Sequence, residues 1–147
     1  MSIVRVREAG SDDIPRLAAW NAQLIADERN DNPMSVAELA ARIREWLASE
    51  YRAFVFELDN DACGYALFRA LPECTHLRHF FVEPAYRRRG VGRRAFDELR
   101  RARFARDKRV LVEVLVWNAQ GAAFWKHVGF EERYLGLQLP ALAGVTQ

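Results

Sequence analysis

A glycine-bearing loop between an apolar strand and a long helix restricts the fold of this chain more than any other feature of its sequence. The strand pattern ends at Val82, Pro84 stops it, and the helical pattern begins at Gly90-Val91-Gly92. Glycine adopts a positive φ without strain and, having no Cβ, lets another group approach the backbone closely. The segment therefore predicts a strand, a short glycine-bearing loop and a helix. The N–H groups at the N-terminus of this helix point at one spot that suits an anion.

The rest of the hydrophobic pattern predicts one α/β domain. Strands come first as hairpins and then alternate with helices, which indicates a mixed sheet with helices on both faces, in the order βααβββαβαβ. The domain is expected to cover residues 1–140, with 141–147 as a short C-terminal tail. Strands are predicted at 3–7, 52–58, 62–71, 75–82, 110–116 and 131–139, and helices at 11–28, 35–49, 90–106 and 118–128.

Three local motifs bound these elements. Ser35 and Glu38 have the spacing of a capping box at the start of the second helix. Asp59-Asn60-Asp61 predicts a tight turn between two strands. Gly129 stands where a glycine is expected to end the last helix.

Positive charge is concentrated around and after the glycine loop. From Arg87 to Arg109 the chain has eleven basic residues and three acidic ones, although its net charge is only +2. Such a patch predicts an anionic ligand held at one place. The arginines from Arg93 onward could also follow nucleic-acid phosphates. That alternative leaves the glycine loop without a role, so a nucleic-acid partner is not the favoured prediction.

Other glycine loops fit this segment less well. In a dinucleotide-binding fingerprint the first glycine directly follows a strand, whereas here a seven-residue loop with three arginines precedes Gly90. A Walker loop requires Gly-Lys followed by Ser or Thr, which the segment lacks.

The sequence also disfavours several classes of protein. Its longest apolar runs are too short to span a bilayer, and its N-terminus lacks the layout of a signal peptide. Cys63 and Cys74 are its only cysteines, and no Cys/His cluster has metal-ligand spacing. We therefore expect a cytoplasmic protein that binds no metal and no membrane.

Two segments resemble motifs of the GNAT superfamily of acetyl-CoA-dependent N-acetyltransferases. Arg87-x-x-Gly90-x-Gly92, after a strand ending in Val82-Glu83-Pro84, resembles the family's acetyl-CoA pyrophosphate loop. The stretch from Asn118 to Phe130 resembles the family's later motif: an Asn after the fifth strand, small residues, an aromatic pair and Gly-Phe. The two motifs occur in the family's order, and the predicted element order agrees with the family fold across nearly the whole chain.

The resemblance implies a binding mode for acetyl-CoA. The fourth and fifth strands splay apart, and the pantetheine arm lies in the gap beside residues 80–82, while N–H groups of residues 88–93 hold the pyrophosphate. Asn118 either reaches the pantetheine arm or caps a helix, and these two roles are compatible. Phe124 packs either along the arm or in the core. The implied acetyl-CoA-binding residues are Phe80, Phe81, Val82, Arg87, Arg88, Arg89, Gly90, Val91, Gly92, Arg93, Arg94, Asn118 and Phe124.

The resemblance further implies direct attack of an amine on the thioester in a ternary complex. His76 and His79 are the candidate bases, because histidine as a residue type titrates near neutral pH. Being three apart in a strand, they are predicted to point to opposite faces. Glu28, Glu73 and Glu113 are alternative bases, acting through water.

The chain departs from many relatives in its aromatic pair. Trp125 occupies the position where they have a Tyr that protonates the leaving thiolate, and an indole N–H is not a usable acid. Water, Tyr134 or Tyr86 are the remaining candidate acids. This departure also motivates an alternative function, a non-catalytic acyl-CoA-binding or regulatory module of the same fold.

The acceptor amine stays open: a small molecule, a peptide N-terminus or a protein lysine. Residues 27–61 contain nine acids and four arginines, which suits a cationic amine and equally suits a solvated helix face. Leu135, Leu137 and Leu139 alternate in a way that fits either a core or a dimer interface, so a homodimer is also open.

Overall fold

Hydrogen-bonded hairpins and one parallel pair build the sheet of this protein. A computed structural model describes residues 3–143 and places five strands in the order β1-β2-β3-β4-β5, antiparallel except for the parallel pair of β4 and β5. This confirms the predicted mixed α/β sheet. Within those residues the elements are β1 (Val4–Glu8), α1 (Ile14–Asp27), α2 (Val36–Leu47), β2 (Tyr51–Leu58), β3 (Asp61–Ala70), β4 (Cys74–Val82), α3 (Val91–Ala102), β5 (Arg109–Leu111) and α4 (Ala119–Val128).

The predicted local motifs are confirmed. The Glu38 N–H donates to Ser35 Oγ at 3.1 Å, and the Ser35 N–H donates to Glu38 Oε1 at 2.9 Å, so a capping box starts α2. Asp59 and Asn60 both have positive φ, 50° and 74°, as a two-residue turn between β2 and β3 requires. Gly129, with φ 122°, ends α4.

Helices cover both faces of the sheet, as predicted. On one face α1 and α2 pack Leu17 and Leu39 against Val55 of β2. On the other face α3 packs Phe96 against Phe54, and α4 adds the partly buried Trp125. The sheet therefore separates two apolar cores, named here the α1/α2 face and the α3/α4 face.

A bulge in β4 changes which of its side chains share a face. Leu67 of β3 pairs with His79, and Phe68 pairs with Leu77, so Arg78 is an extra residue in β4. An extra residue shifts the alternation of all side chains beyond it.

The bulge places His76 and His79 on the same face, the one covered by α1 and α2. His79 pairs with Leu67, which belongs to that core. His76 pairs with Arg69, whose guanidinium lies over the ring of Tyr51 in the same core. The prediction of opposite faces is therefore wrong, because it assumed uninterrupted alternation along the strand.

The C-terminal part of the predicted sheet is shorter than expected. The fifth strand was predicted over 110–116 but covers only Arg109–Leu111, and the predicted closing strand over 131–139 is not formed. A strand needs a hydrogen-bonded neighbour, and residues 131–139 have none within the described range 3–143. Leu135, Leu137 and Leu139 are accordingly 74%, 88% and 93% exposed.

The domain boundary at residue 140 stays a prediction, and the question of a homodimer stays open. Of the predicted tail, residues 144–147 lie outside the described residues. None of the helices in residues 3–143 has the length and apolar character that crossing a membrane requires.

Candidate functional site

The loop after β4 presents a helix N-terminus to solvent. Pro84–Tyr86 forms one turn of 3-10 helix, and Arg88 and Gly90 both have positive φ, 62° and 76°. Gly90 is the N-cap of α3, whose first turn contains no acidic residue. The first N–H groups of a helix have no partner within the helix and carry partial positive charge. This loop can therefore bind an anion through its backbone.

A gap opens between β4 and β5 beside this loop. Their pairing ends where His76 lies opposite Leu111, whereas β4 continues to Val82. On its other edge β4 stays paired with β3 to the end, where Gly64 lies opposite Val82. The edge of β4 facing the gap is therefore without a strand neighbour among the described residues. Unpaired backbone groups of this kind favour an extended polar ligand.

The start of α4 closes one side of the site. Asn118 Oδ1 accepts a hydrogen bond of 3.0 Å from the Gly121 N–H, so Asn118 caps α4. Phe124 stacks on Phe80 of β4, with centroids 5.8 Å apart, and its ring lies against Gly92. β4, α3 and α4 thus converge beside the gap.

Trp125 lies in an aromatic cluster on the α3/α4 face. Its ring centroid is 5.1 Å from that of Phe80, 5.5 Å from Phe96 and 5.0 Å from Phe130. Its indole therefore contributes to packing in that core.

The arginines of the loop divide into two groups. Arg87 fastens the loop, because its Nη2 donates to Asp27 Oδ2 and its Nε donates to the Val82 carbonyl, each at 2.7 Å. The others have exposed side chains around the helix N-terminus: Arg88, Arg89, Arg93 and Arg94. Binding of acetyl-CoA by these residues stays a prediction.

His79 is buried between aromatic and cationic groups. Its Nδ1 lies 3.0 Å from Tyr65 Oη, and its ring centroid lies 5.7 Å from that of Trp46. Burial, together with the positive charges of Arg42 and Arg78, lowers the pKa of His79 to about 3. Burial also raises the pKa of Tyr65 well above its usual value. The Tyr65 hydroxyl therefore keeps its proton and can donate a hydrogen bond to Nδ1 of a neutral His79.

The buried neutral His79 should make folding stability depend on pH. In the unfolded chain this histidine gains a proton as the pH falls below about 6.5, while the folded protein resists protonation down to about 3. The free energy of unfolding should therefore fall on acidification across this window, by up to about 1.4 kcal/mol per pH unit from this group. Urea titrations of His79→Gln should show a shallower pH slope than the wild type. Equal slopes would contradict a neutral buried His79.

His76 and Glu113 form a second polar pair, at the point where the strands separate. His76 Nε2 lies 3.0 Å from Glu113 Oε1. The His76 side chain is 14% exposed, whereas that of Glu113 is 87% exposed. If Nε2 carries the proton that Glu113 accepts, the Nδ1 lone pair of His76 is available as a base.

The remaining candidate acids and bases lie at three separate places in the structure. Tyr134 is 72% exposed and lines a surface depression with Cys74 and Arg109, at the opposite end of β4 from the loop. Tyr86 is partly buried beside the loop, under the guanidinium of Arg89. Glu28, just after α1, is partly buried, and burial followed by the charge of nearby Asp27 raises its pKa.

Sequence reasoning missed the polar residues that surround His79: Arg42, Tyr65 and Arg78. One signal was available for Arg42, because it interrupts the apolar stripe of α2 between Leu39 and Trp46. Tyr65 and Arg78 gave no signal, because their roles depend on strand register and the bulge.

Comparison with known proteins agrees with this geometry. A sequence model of the acetyltransferase (GNAT) family matches residues 17–130. An uncharacterized protein of Mycobacterium leprae is 34% identical over an alignment of 124 residues, which covers 81% of this chain and 32% of that protein. The chain therefore spans about a third of the length of this curated relative.

Solved structures share the fold at low sequence identity. The aminoglycoside N-acetyltransferase AAC(6')-Iy in complex with CoA superimposes with a TM-score of 0.75 at 18% identity, covering 97% of each chain. A possible acetyltransferase from Clostridium difficile 630 also gives a TM-score of 0.75, at 14% identity, over 96% of this chain and 99% of its own.

Proposed function

The chain belongs to the acetyltransferase (GNAT) family, and on that premise we propose that it transfers an acetyl group from acetyl-CoA to a primary amine of an acceptor. The observation that carries the proposal is the unpaired edge of β4, which leads through the loop of residues 83–89 to a left-handed Gly90 and the N-terminus of α3. One structural neighbour, the aminoglycoside N-acetyltransferase, contains CoA.

The residues around the gap fit acetyl-CoA, which supplies an acetyl thioester when bound. Backbone N–H groups of residues 88–93 would hold the pyrophosphate, with the exposed loop arginines adding charge. The edge of β4 at residues 80–82 would pair with the extended pantetheine arm, and Phe124 would pack along it. A backbone N–H near Phe81 or Val82 would stabilise negative charge that develops on the carbonyl oxygen.

The amine must lose a proton before its nitrogen can attack. A free alkylamine has a pKa of ~10 and is mostly charged at neutral pH. We assign Nδ1 of His76 as the atom that accepts this proton from the amine. The other ring nitrogen of His76 faces the Glu113 carboxylate. Glu113 would orient the ring and stabilise the positive charge that it gains. His79 is the weaker candidate, because a pKa of about 3 makes it a poor proton acceptor at neutral pH.

The thiolate leaving group does not require an acid from the protein. A thiol pKa of ~8.5 makes the thiolate a tolerable leaving group, and water can protonate it afterwards. The roles of Tyr86 and Tyr134 as proton donors stay predictions. The second candidate function, a non-catalytic acyl-CoA-binding module, is favoured only by the packing of Trp125 among four aromatic rings.

Thermal melting with acetyl-CoA, followed by assays of thiol release, tests both candidates. Acetyl-CoA at 100 times its Kd should stabilise the protein by about 2.7 kcal/mol and raise its Tm by several degrees. Thiol release that depends on an added amine would support acetyl transfer. Stabilisation with no thiol release across a broad amine panel would favour the binding module, and no stabilisation would contradict both.

A further inference from the structure

Two arginines from different elements lie over the same tryptophan on the α1/α2 face. The guanidinium carbon of Arg42, on α2, is 4.3 Å from the centroid of Trp46, and that of Arg78, in the β4 bulge, is 4.7 Å from it. Such stacking restrains both guanidinium groups. Both guanidinium groups are therefore held against one indole ring.

Arg42 has hydrogen-bonding capacity that the protein does not use. Its Nη2 donates to Asn21 Oδ1 at 3.3 Å, but its Nε is buried with no hydrogen-bond partner among the described residues. Burial, and then the charge of Arg78, lowers the pKa of Arg42. A buried donor without an acceptor and a like charge nearby both cost free energy. An anion bound near the two arginines would offset their like charge.

Neither arginine has a carboxylate within salt-bridge distance in residues 3–143. Among the described residues, Arg78 donates a hydrogen bond only to the hydroxyl of Tyr51, at 3.5 Å. By contrast, Arg69 on the same face contacts Glu50 Oε1 at 2.6 Å. Arg69 therefore has an acidic partner, whereas Arg42 and Arg78 have none among residues 3–143.

The arginine pair lies next to the proposed reaction site. Arg78 is the bulge residue, immediately before His79 and two residues after His76, at the start of the unpaired edge of β4. His76, the proposed base, lies on the same face as the pair. The arginine pair and the proposed base therefore share one face of the sheet.

We propose that Arg42 and Arg78 bind an oxyanion, a carboxylate or a phosphate, carried by the amine acceptor. This inference rests on the proposed acetyl transfer and names its substrate class: small amines that bear a negative charge. Guanidinium groups bind carboxylate and phosphate oxygens through paired charge-assisted hydrogen bonds. Three of the nine acids in residues 27–61, namely Asp27, Glu50 and Glu57, already contact arginines.

Pairs of amines that differ only in the oxyanion test the substrate class. Phenylalanine is compared with phenethylamine, and O-phosphoethanolamine with ethanolamine. We expect kcat/KM to be about 10- to 100-fold higher for the anionic member of at least one pair, and the preferred pair identifies carboxylate or phosphate. Equal or better use of both neutral members would overturn the proposal.

Arginine variants then assign the preference to this site. Arg42→Gln and Arg78→Gln should raise KM for the preferred anionic amine about 10- to 100-fold, with KM for acetyl-CoA unchanged. Arg44→Gln, an exposed arginine on the same helix, removes the same charge and should change neither constant. Equal effects of Arg42→Gln and Arg44→Gln on anionic acceptors would overturn the assignment.

A second measurement does not depend on acetyl transfer. Succinate and inorganic phosphate, at matched ionic strength and without acetyl-CoA, should raise the Tm of the wild type more than that of Arg42→Gln or Arg78→Gln. If no amine is acetylated but this difference is present, the anion site stands while the proposed function fails. If the three proteins respond alike, the anion site is overturned.

Discussion

Replacing Gly90 by glutamate is expected to weaken acetyl-CoA binding by about 100-fold or more. Gly90 has φ 76° and caps the N-terminus of α3, where the pyrophosphate is proposed to lie. A carboxylate at this position would repel phosphate charges at close range, and such repulsion amounts to about 4 kcal/mol at 4 Å in a partly screened site. Calorimetric titration with acetyl-CoA measures the loss.

Gly90→Asn is the matched control for this substitution. Asparagine tolerates the left-handed conformation better than most residues and adds no charge. A Cβ at Gly90 has room, since its nearest contact is Arg94 Nε at 3.9 Å. The asparagine variant should therefore keep most of the affinity, and circular dichroism should show that both variants fold. Equal affinities of the two variants would contradict a pyrophosphate site at this helix end.

Replacing His76 by glutamine is expected to lower kcat/KM for an amine acceptor by about 10²- to 10⁴-fold, the usual contribution of general base catalysis. Glutamine can still donate a hydrogen bond toward Glu113, so the packing at the strand separation should persist. The affinity for acetyl-CoA should not change, because His76 lies before the unpaired edge of β4.

Two further variants identify the base. His127→Gln, at an exposed position in the last turn of α4, should leave kcat/KM unchanged. Glu113→Gln should lower kcat/KM less than His76→Gln, because it removes only the group that orients the ring. Glu28 is the alternative base, since burial raises its pKa. Full activity of His76→Gln together with a large loss in Glu28→Gln would assign the proton to Glu28.

The sheet up to β4 was predictable because its signals are local. The capping box at Ser35, the turn at Asp59 and Asn60, and the glycine loop each act within a few residues. The closing strand was not predictable in this way. Alternating leucines at 135, 137 and 139 are compatible with a strand, but a strand forms only where a neighbour accepts its hydrogen bonds.

Within the candidate site, the sequence alone predicted the loop from Arg87 to Gly92, because a glycine loop at a helix N-terminus can bind an anion through its own backbone. Only the tertiary structure decided what surrounds His79. One extra residue in β4 turned His76 and His79 to the same face and brought Arg78 to the tryptophan that Arg42 already covers. Burial among these cations then lowered the pKa of His79. Strand register, burial and charge proximity join residues distant in sequence, so no local pattern encodes them.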